Sequence, residues 1–377
     1  MNLNRQSAAL VATAVVLAVG WSVRGVRAQS PAAKTAEQQF KNIQVLKGVP
    51  AEQIFPTMQF ISISLGVECE FCHVAGAFEK DDKDNKKYAR EMMRMMFAIN
   101  KDNFEGHREV TCYSCHRGNN KPVGTPIISD LVPKEAAGEM RKGGVVQAKL
   151  PTAEQIFDSY VKALGGAAAV SKITSRTMKG KIQFGGNEFP IDIFTKDGGQ
   201  RISLTHMPDG DNVTAYNGHE GWMAAPGRPL REMHGADLDG AAMDADLHLA
   251  TRLKQMFRET KVEAGEKIAD HETYLVTGQR EGDTPVKLYF DQQSGLLLRL
   301  MRFGETALGR LPTQIDYSDY RQTDGVQVPF RWTLARANGR FSIQVSELQQ
   351  NVPVDDARFV KPAPPPPPTD GGKGPPH

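Results

Sequence analysis

Hydrophobic and polar positions follow three different rhythms along this chain. Residues 8–19 are an apolar run after a lone Arg5, and Val26-Arg27-Ala28 follows with small residues at its flanks. Helical spacing comes next. Pro50-Ala51-Glu52 reads as a first helical turn, and Pro56 opens a short helix that Gly66 ends, because Gly suits the left-handed position past a helix terminus. On that helix Met58, Ile61, Ser62 and Leu65 share one face. A second helix is predicted over 88–100, with Tyr88, Met92, Met95 or Met96, and Ile99 along one face. Thr152 with Gln155 three residues on is a capping box, opening a helix that runs to Leu164 and stops at Gly165-Gly166. The period then changes to two over 177–184, 189–195, 201–205 and 213–216. Helical spacing returns over 237–258, and strands resume over 273–278, 286–290, 296–303, 315–320, 328–334 and 341–348. Residues 291–295 and Asp324-Gly325 are turn signals between them. The expectation is a mostly α front part, then an α+β domain whose long antiparallel sheet curves around helices.

A chain of 377 residues has room for both. Residues 1–28 have the pattern of a signal peptide, since the apolar run is short for a membrane span; an uncleaved anchor is the alternative. Residues 127–150 are rich in Pro, Gly and Lys and read as a linker, with a short helix over 134–141. Residues 29–126 then form one domain and 151–361 another, and the Pro-rich tail 362–377 is disordered or polyproline-like. The linker composition implies separable domains. Residues 79–87 read as a solvated charged loop. Formal charge is +2, and removing the signal takes away three Arg and no acid, leaving −1. With no basic block and no aromatic-interleaved Lys/Arg tract, nucleic acid is not an expected partner.

The chemistry concentrates in Cys69-Glu70-Phe71-Cys72-His73 and its later twin Cys112-Tyr113-Ser114-Cys115-His116. Together they use every cysteine of the chain. Cys-x-x-Cys-His is the spacing of covalent c-type haem attachment. One turn presents two thiols to the two vinyl groups on one porphyrin edge, and the following His reaches the iron. One Cys₄ zinc site is the first alternative, but the pairs are far apart and such a site has no use for a His after each pair. Disulfides or a thioredoxin-like redox pair are the others. The two helix–loop–motif units form an internal repeat. A Met on each helix can serve as second axial ligand: Met58 for the first unit, or else it packs in the core; for the second unit Met92, Met95 and Met96 share a face, and the rest of the methionines fill the core. His107 reads as solvated.

Phe40-Lys41-Asn42-Ile43-Gln44-Val45-Leu46, Pro56-Thr57-Met58, the first motif, Ala89-Arg90-Glu91-Met92, Ala98-Ile99-Asn100, and Val110-Thr111 leading into the second motif and Arg117-Gly118 resemble the cytochrome subunit of photosynthetic reaction centres. That family carries four haems in two pairs of repeats, and the resemblance covers one pair, about residues 36–126. It implies two covalent haem c groups, with Cys69, Cys72, Cys112 and Cys115 as attachment points. His73 and His116 would be proximal ligands, and Met58 and Met92 the opposite axial ligands. His107 stands at a different offset from the family's loop His, so that role is not carried over. The later part resembles, in layout only, the open half-barrel of lipoprotein-sorting carriers.

The expected activity is single-electron transfer by an exported, periplasmic or extracellular dihaem cytochrome. Its partners are expected to be redox proteins, including a membrane-bound electron-transfer complex. A dihaem peroxidase-like enzyme and a hydrophobic-ligand carrier with accessory haems are the competing classes. The later domain shows no catalytic constellation: His206, His219, His234, His248 and His271 are scattered, and Trp222 and Trp332 read as core.

Overall fold

The computed structural model describes residues 34–122, 150–280, 285–337 and 339–362. The expected signal peptide, the 134–141 helix, nearly all of the linker and nearly all of the Pro-rich tail lie outside the described residues.

The front part is built from helices: α1 (Ala36–Gln39), α2 (Ile54–Leu65), α3 (Asp84–Asn103) and α4 (Cys112–His116). Short 3-10 turns at Ala51–Gln53 and Cys69–Phe71 precede α2 and follow it. Helix α2 stops at Gly66, whose φ of 65° is left-handed. A Cβ there would sit 2.1 Å from the Gly118 carbonyl oxygen, so only glycine lets these two segments touch. Helix α3 is longer than its apolar spacing suggested, and it is phased differently. Its buried stripe is Lys86, Arg90, Met93, Met96 and Asn100, at spacings of three and four. Polar side chains at both ends of that stripe find partners, which is why it can be buried. The expected stripe of Tyr88, Met92 and Met95 faces outward instead, each residue more than two-fifths exposed.

The later part opens with α5 (Ala153–Ala163), capped as expected. Thr152 Oγ1 accepts the Gln155 amide at 3.3 Å and Gln155 Oε1 accepts the Thr152 amide at 2.9 Å. A single turn, α6 (Ala167–Val170), precedes the sheet. Its strands are β1 (Ser175–Phe184), β2 (Asn187–Lys196), β3 (Gln200–Met207), β4 (Gly210–Asn217), β5 (Gly221–Ala224), β6 (Arg231–Glu232), β7 (Glu259–Ala264), β8 (Thr273–Gln279), β9 (Pro285–Asp291), β10 (Leu297–Glu305), β11 (Arg310–Thr323), β12 (Val326–Arg336) and β13 (Gly339–Gln350). They form one open antiparallel sheet in the order β6-β5-β4-β3-β2-β1-β13-β12-β11-β10-β9-β8-β7. The helical stretch at 237–258 is two helices, α7 (Gly235–Ala245) and α8 (Leu249–Met256). Strands β5, β6 and β7 had no sequence signature: two are very short, and β7 (Glu-Thr-Lys-Val-Glu-Ala) is an edge strand whose charges disguise it.

Helix α7 measures the curvature of the sheet. It packs on β3 and β4 and also on β10, where Arg302 reaches Gly240 and Asp244. Six strand spacings separate β3 from β10, about 29 Å in a flat sheet. A helix of 11 residues is only about 16 Å long. One helix therefore touches both strands only because the sheet curls around it.

Two apolar clusters fill the concave side. One holds Phe157, Leu253, Val276, Leu288, Phe290 and Leu300, the other Ile173, Met178, Ile193, Val328 and Val345. Trp222 is buried on the opposite face with Ile202 and Phe359, while Trp332 is only half-buried between the two concave clusters. The front part has its own cluster of Ala36, Leu46, Ile54, Phe60, Met93 and Met96, and its seventh member is Leu308 from the β10–β11 hairpin.

Candidate functional site

Both Cys-x-x-Cys-His motifs fold as one tight turn. In the first, the Cys72 and His73 amides donate to the Cys69 carbonyl at 3.3 and 3.0 Å. In the second, Thr111 caps α4 and its amide donates to Ser114 Oγ at 3.0 Å, while Arg117 leaves the turn in a left-handed conformation. Each turn therefore projects two sulfurs from one side. All four cysteines are free thiols, one exposed and one half-buried in each pair. Burial pushes the Cys72 and Cys112 thiols above their ordinary value. Among the described residues no three His, Cys, Asp or Glu side chains gather around a shared point, so the two pairs do not assemble into one four-sulfur cluster.

The histidines carry the same geometry twice. His73 Nδ1 lies 3.0 Å from the Phe78 carbonyl oxygen, and His116 Nδ1 lies 2.9 Å from that of Asn119. A carbonyl can only accept, so each Nδ1 carries the proton and donates. With Nδ1 as the donor, Nε2 is the ring nitrogen left to hold a metal, which is the orientation that metal-ligating His requires. Phe78 also packs edge-on against the His73 ring, with centroids 5.4 Å apart.

A charged network holds the first of these carbonyls. Lys86 is buried and donates to the Phe78 oxygen at 2.8 Å, the same atom that accepts from His73. Its ammonium also pairs with Asp81 at 3.0 Å, and Asp81 pairs with Arg90 at 2.9 Å. Arg90 in turn donates to the Asn42 carbonyl at 3.2 Å. Arg90 above all, with Asn42 and Lys86, holds the Asp81 carboxyl far below the usual carboxylate range. The stretch 79–87, read from sequence as a solvated loop, thus staples the His73 loop to α3. No local pattern marks Lys86 and Arg90 as inward-facing; their shared phase with Met93 and Met96 is the signal that could have. Asn100 plays the matching part before the second motif: its side chain bonds both the amide (2.9 Å) and the carbonyl (2.7 Å) of Val110.

The methionines separate by exposure. Met93 and Met96 are buried against Phe60, and Met58 is half-buried against the same cluster. Met92 and Met95 are 42% and 49% exposed beside Tyr88. Of the three candidates that spacing leaves open on α3, Met96 points into the core. Phe55, Phe78 and Tyr113 are likewise exposed, so large apolar side chains remain uncovered around both motifs. His107 is exposed.

The sheet reaches into this region. Leu308 is completely buried, the Ala307 amide donates to the buried Thr57 Oγ1 at 3.3 Å, and a Cβ on Gly309 would lie 2.4 Å from the Phe60 ring. Arg108 in the loop before the second motif pairs with Glu305 and donates to the Thr306 carbonyl.

Residues 13–156 match the profile of the photosynthetic reaction centre cytochrome c subunit family. The amino-terminal part of the chain is similar to that family. The family's subunit from Thermochromatium tepidum is 34% identical over 108 residues, covering 27% of this chain and 26% of that protein. Cytochrome c-554 of Chloroflexus aurantiacus is 39% identical over 104 residues, covering 24% of each chain. This chain thus spans about a quarter of the length of these relatives. Over the later part, a LolA superfamily protein of Nitrosomonas europaea overlays at a TM-score of 0.38 and 13% identity, covering 56% of this chain and 99% of that one. A DUF1329 family protein of Desulfovibrio piger overlays at a TM-score of 0.39 and 14% identity, covering 55% and 96%. Among the described residues no helix is long and apolar enough to cross a membrane.

Proposed function

We propose that this chain is an exported c-type cytochrome that binds two haems covalently and moves single electrons between redox proteins outside the cytoplasm, one of them a membrane-bound complex. The observation that carries the reading is the repeated histidine geometry: two free thiols on one turn, then a His whose Nδ1 proton is committed to a carbonyl. The residues fit the group. Cys69 and Cys72, then Cys112 and Cys115, offer the sulfurs for two thioether links each. His73 and His116 offer Nε2, and Met58 and Met92 offer neutral thioethers for the opposite side. Haem bound there supplies a one-electron Fe(II)/Fe(III) couple whose potential Met/His ligation raises.

The rest is done by the chain. Phe78 and Asn119 fix the tautomer and direction of the two imidazoles. Lys86 places a cation on the carbonyl that orients His73, and this keeps that carbonyl fixed as charge at the site changes. The uncovered apolar side chains of Tyr88, Met92 and Phe55 provide surface for a porphyrin to cover and so exclude water. If His73 with Met58 and His116 with Met92 held the two irons, no small molecule would need to bind, which separates this reading from a peroxidase.

Acid–acetone extraction of the purified protein is expected to leave the colour on the polypeptide, and a pyridine haemochrome assay to report two haems per chain. Release of the haem, or zinc without iron, overturns the proposal. Carbon monoxide binding to the reduced protein at either haem would favour the peroxidase-like alternative.

A further inference from the structure

Among the described residues, the concave side of the sheet contains more positive charge than its own carboxylates balance. The register places Arg176 opposite Thr195 and Thr195 opposite Arg201, so both guanidinium groups and a buried threonine share one inward row. Arg176 Nη2 donates to Gln350 Oε1 at 3.1 Å, and Arg201 Nη1 donates to Thr195 Oγ1 at 3.3 Å. Both acceptors are neutral, and among the described residues neither arginine forms an ion pair, the Asp244 carboxylate acting on Arg201 only from a distance. Arg176 Nε is buried with no acceptor at all. Further along the hollow, Arg302 makes a two-pronged pair with Asp244 at 2.9 and 3.0 Å. Arg336 lies 4.0 Å from Asp237, which also serves Arg231, and Arg336 Nε is a second buried donor without a partner. Four guanidinium groups therefore face two carboxylates, one of them shared outward.

These groups do not pack solid. Arg176, Arg201 and Tyr317 are half-buried, the Asp244 side chain keeps 34% of its accessible surface and that of Arg336 keeps 31%. They line the concavity of the sheet under α7. Burial, with Arg201 nearby, pushes the Arg176 guanidinium down to about 10. Burial also holds the Tyr160 and Tyr317 phenols protonated at neutral pH, so they remain donors. A buried cation with neutral partners is costly. A water molecule can satisfy the free Nε atoms but cannot neutralise the charge. An anion can do both, because guanidinium offers a planar fork suited to carboxylate and phosphate oxygens.

We propose that this hollow binds an oxyanion, a phosphate or carboxylate group, between Arg176 and Arg201, with the Tyr317 hydroxyl and Arg336 as further donors. The anion is free in solution or is the head of an amphiphile whose apolar body lies along Met178 and Ile193, which continue the same inward face. This function is independent of the haem sites, which lie on other elements.

The test is isothermal titration of the full-length holoprotein at fixed ionic strength in chloride, with three probes: inorganic phosphate, decyl phosphate and decanoate. Saturable binding of at least one probe is expected, weakened at least about tenfold in both Arg176→Gln and Arg201→Gln and unchanged in the exposed Lys181→Gln. Binding of inorganic phosphate assigns a free anion, and binding of the alkyl probes alone assigns an amphiphile head group. No binding of any probe, or equal affinity in the arginine variants, overturns the proposal. Should both variants misfold, the wild-type melting midpoint decides: it should rise with the bound probe relative to chloride, and an unchanged midpoint overturns the site.

Discussion

In the sheet domain Val276, Leu288, Phe290 and Leu300 are shut away from solvent, whereas around the two cysteine motifs Phe55, Phe78, Tyr88, Met92, Met95 and Tyr113 stand 42–63% exposed. Both regions have comparable apolar side chains to hide. The sheet hides its own by curling around α5, α7 and α8. The amino-terminal segment has only a small core, borrows Leu308 from the sheet to complete it, and leaves apolar surface on the motif side uncovered. Exposed apolar surface on this scale marks an interaction surface, and under the dihaem proposal it is the surface that haem covers. The sheet's deficit is of the other kind, a hollow with surplus cations. Under the two proposals, one region takes up something flat and apolar, the other something small and negative.

The largest effect should come from denying the first region its partner. Replacing all four motif cysteines by Ala is expected to abolish covalent haem and to leave α3 without protection in amide exchange, while β9 and β10 keep theirs. Protection of α3 equal to that of the wild-type holoprotein would show that the small core suffices and would dissolve the contrast between the regions.

Next in size is the borrowed leucine. Leu308→Ala removes a completely buried side chain and should cost about 2–5 kcal/mol, read as a lower unfolding midpoint of the haem-associated transition. The linker composition implies a segment that stands alone, but a chain ending near residue 148 also loses Leu308 and the Ala307–Thr57 bond. Such a truncated protein is expected to retain haem and to melt earlier than the full chain. An identical melting midpoint would show that the hairpin contact contributes nothing.

What the sequence makes legible is what local chemistry dictates. The two motif turns, the Gly66 stop, the Thr152–Gln155 box and most strands of the sheet follow from residues within one turn or one strand of each other. Leu308 could not be assigned to the first core, because its partner Phe60 is far away in the chain and nothing near Leu308 marks a contact. Apolar periodicity gives the wrong phase for α3 for a related reason. Tyr88, Met92 and Ile99 form the more apolar stripe, and apolar periodicity presumes that the apolar face is the buried one. Here the inward face starts with Lys86 and Arg90, whose burial depends on Asp81 and Asn42 in other segments. The surplus arginines of the sheet were invisible because strand register, not sequence, brings Arg176 and Arg201 into one row.

That rephasing sharpens the choice among methionines. Met92→Ala is expected to lower the potential of one haem and to reduce Met–Fe(III) absorption by about half. Met95→Ala should leave both unchanged. Met96→Ala should cost about 2–5 kcal/mol of stability through the cavity it leaves, with no spectral change. Loss of the Met–iron signal in Met95→Ala alone would move the ligand one turn along the same exposed face.

The smallest effect concerns the network that replaces apolar packing at the start of α3. Asp81 pairs with Lys86 and Arg90, and its folded-state carboxyl titrates well below the ordinary 3.8. A depressed acid binds protons more readily in the unfolded chain than in the folded one. Its contribution is therefore fully present above about pH 4 and is lost as pH falls toward the folded value. The Asp81 side chain is 35% exposed, so solvent screens the pair and the contribution stays below about 1 kcal/mol. Asp81→Asn should accordingly lower the melting midpoint slightly at pH 7 and progressively less as pH drops below 4, where wild type and variant converge. Because Lys86 also holds the Phe78 carbonyl, the variant should in addition loosen the His73 ligand, seen as a small shift in the potential of the first haem and none in the second. A stability difference that grows on acidification would reverse the sign and show that Asp81 is not ionised in the folded protein.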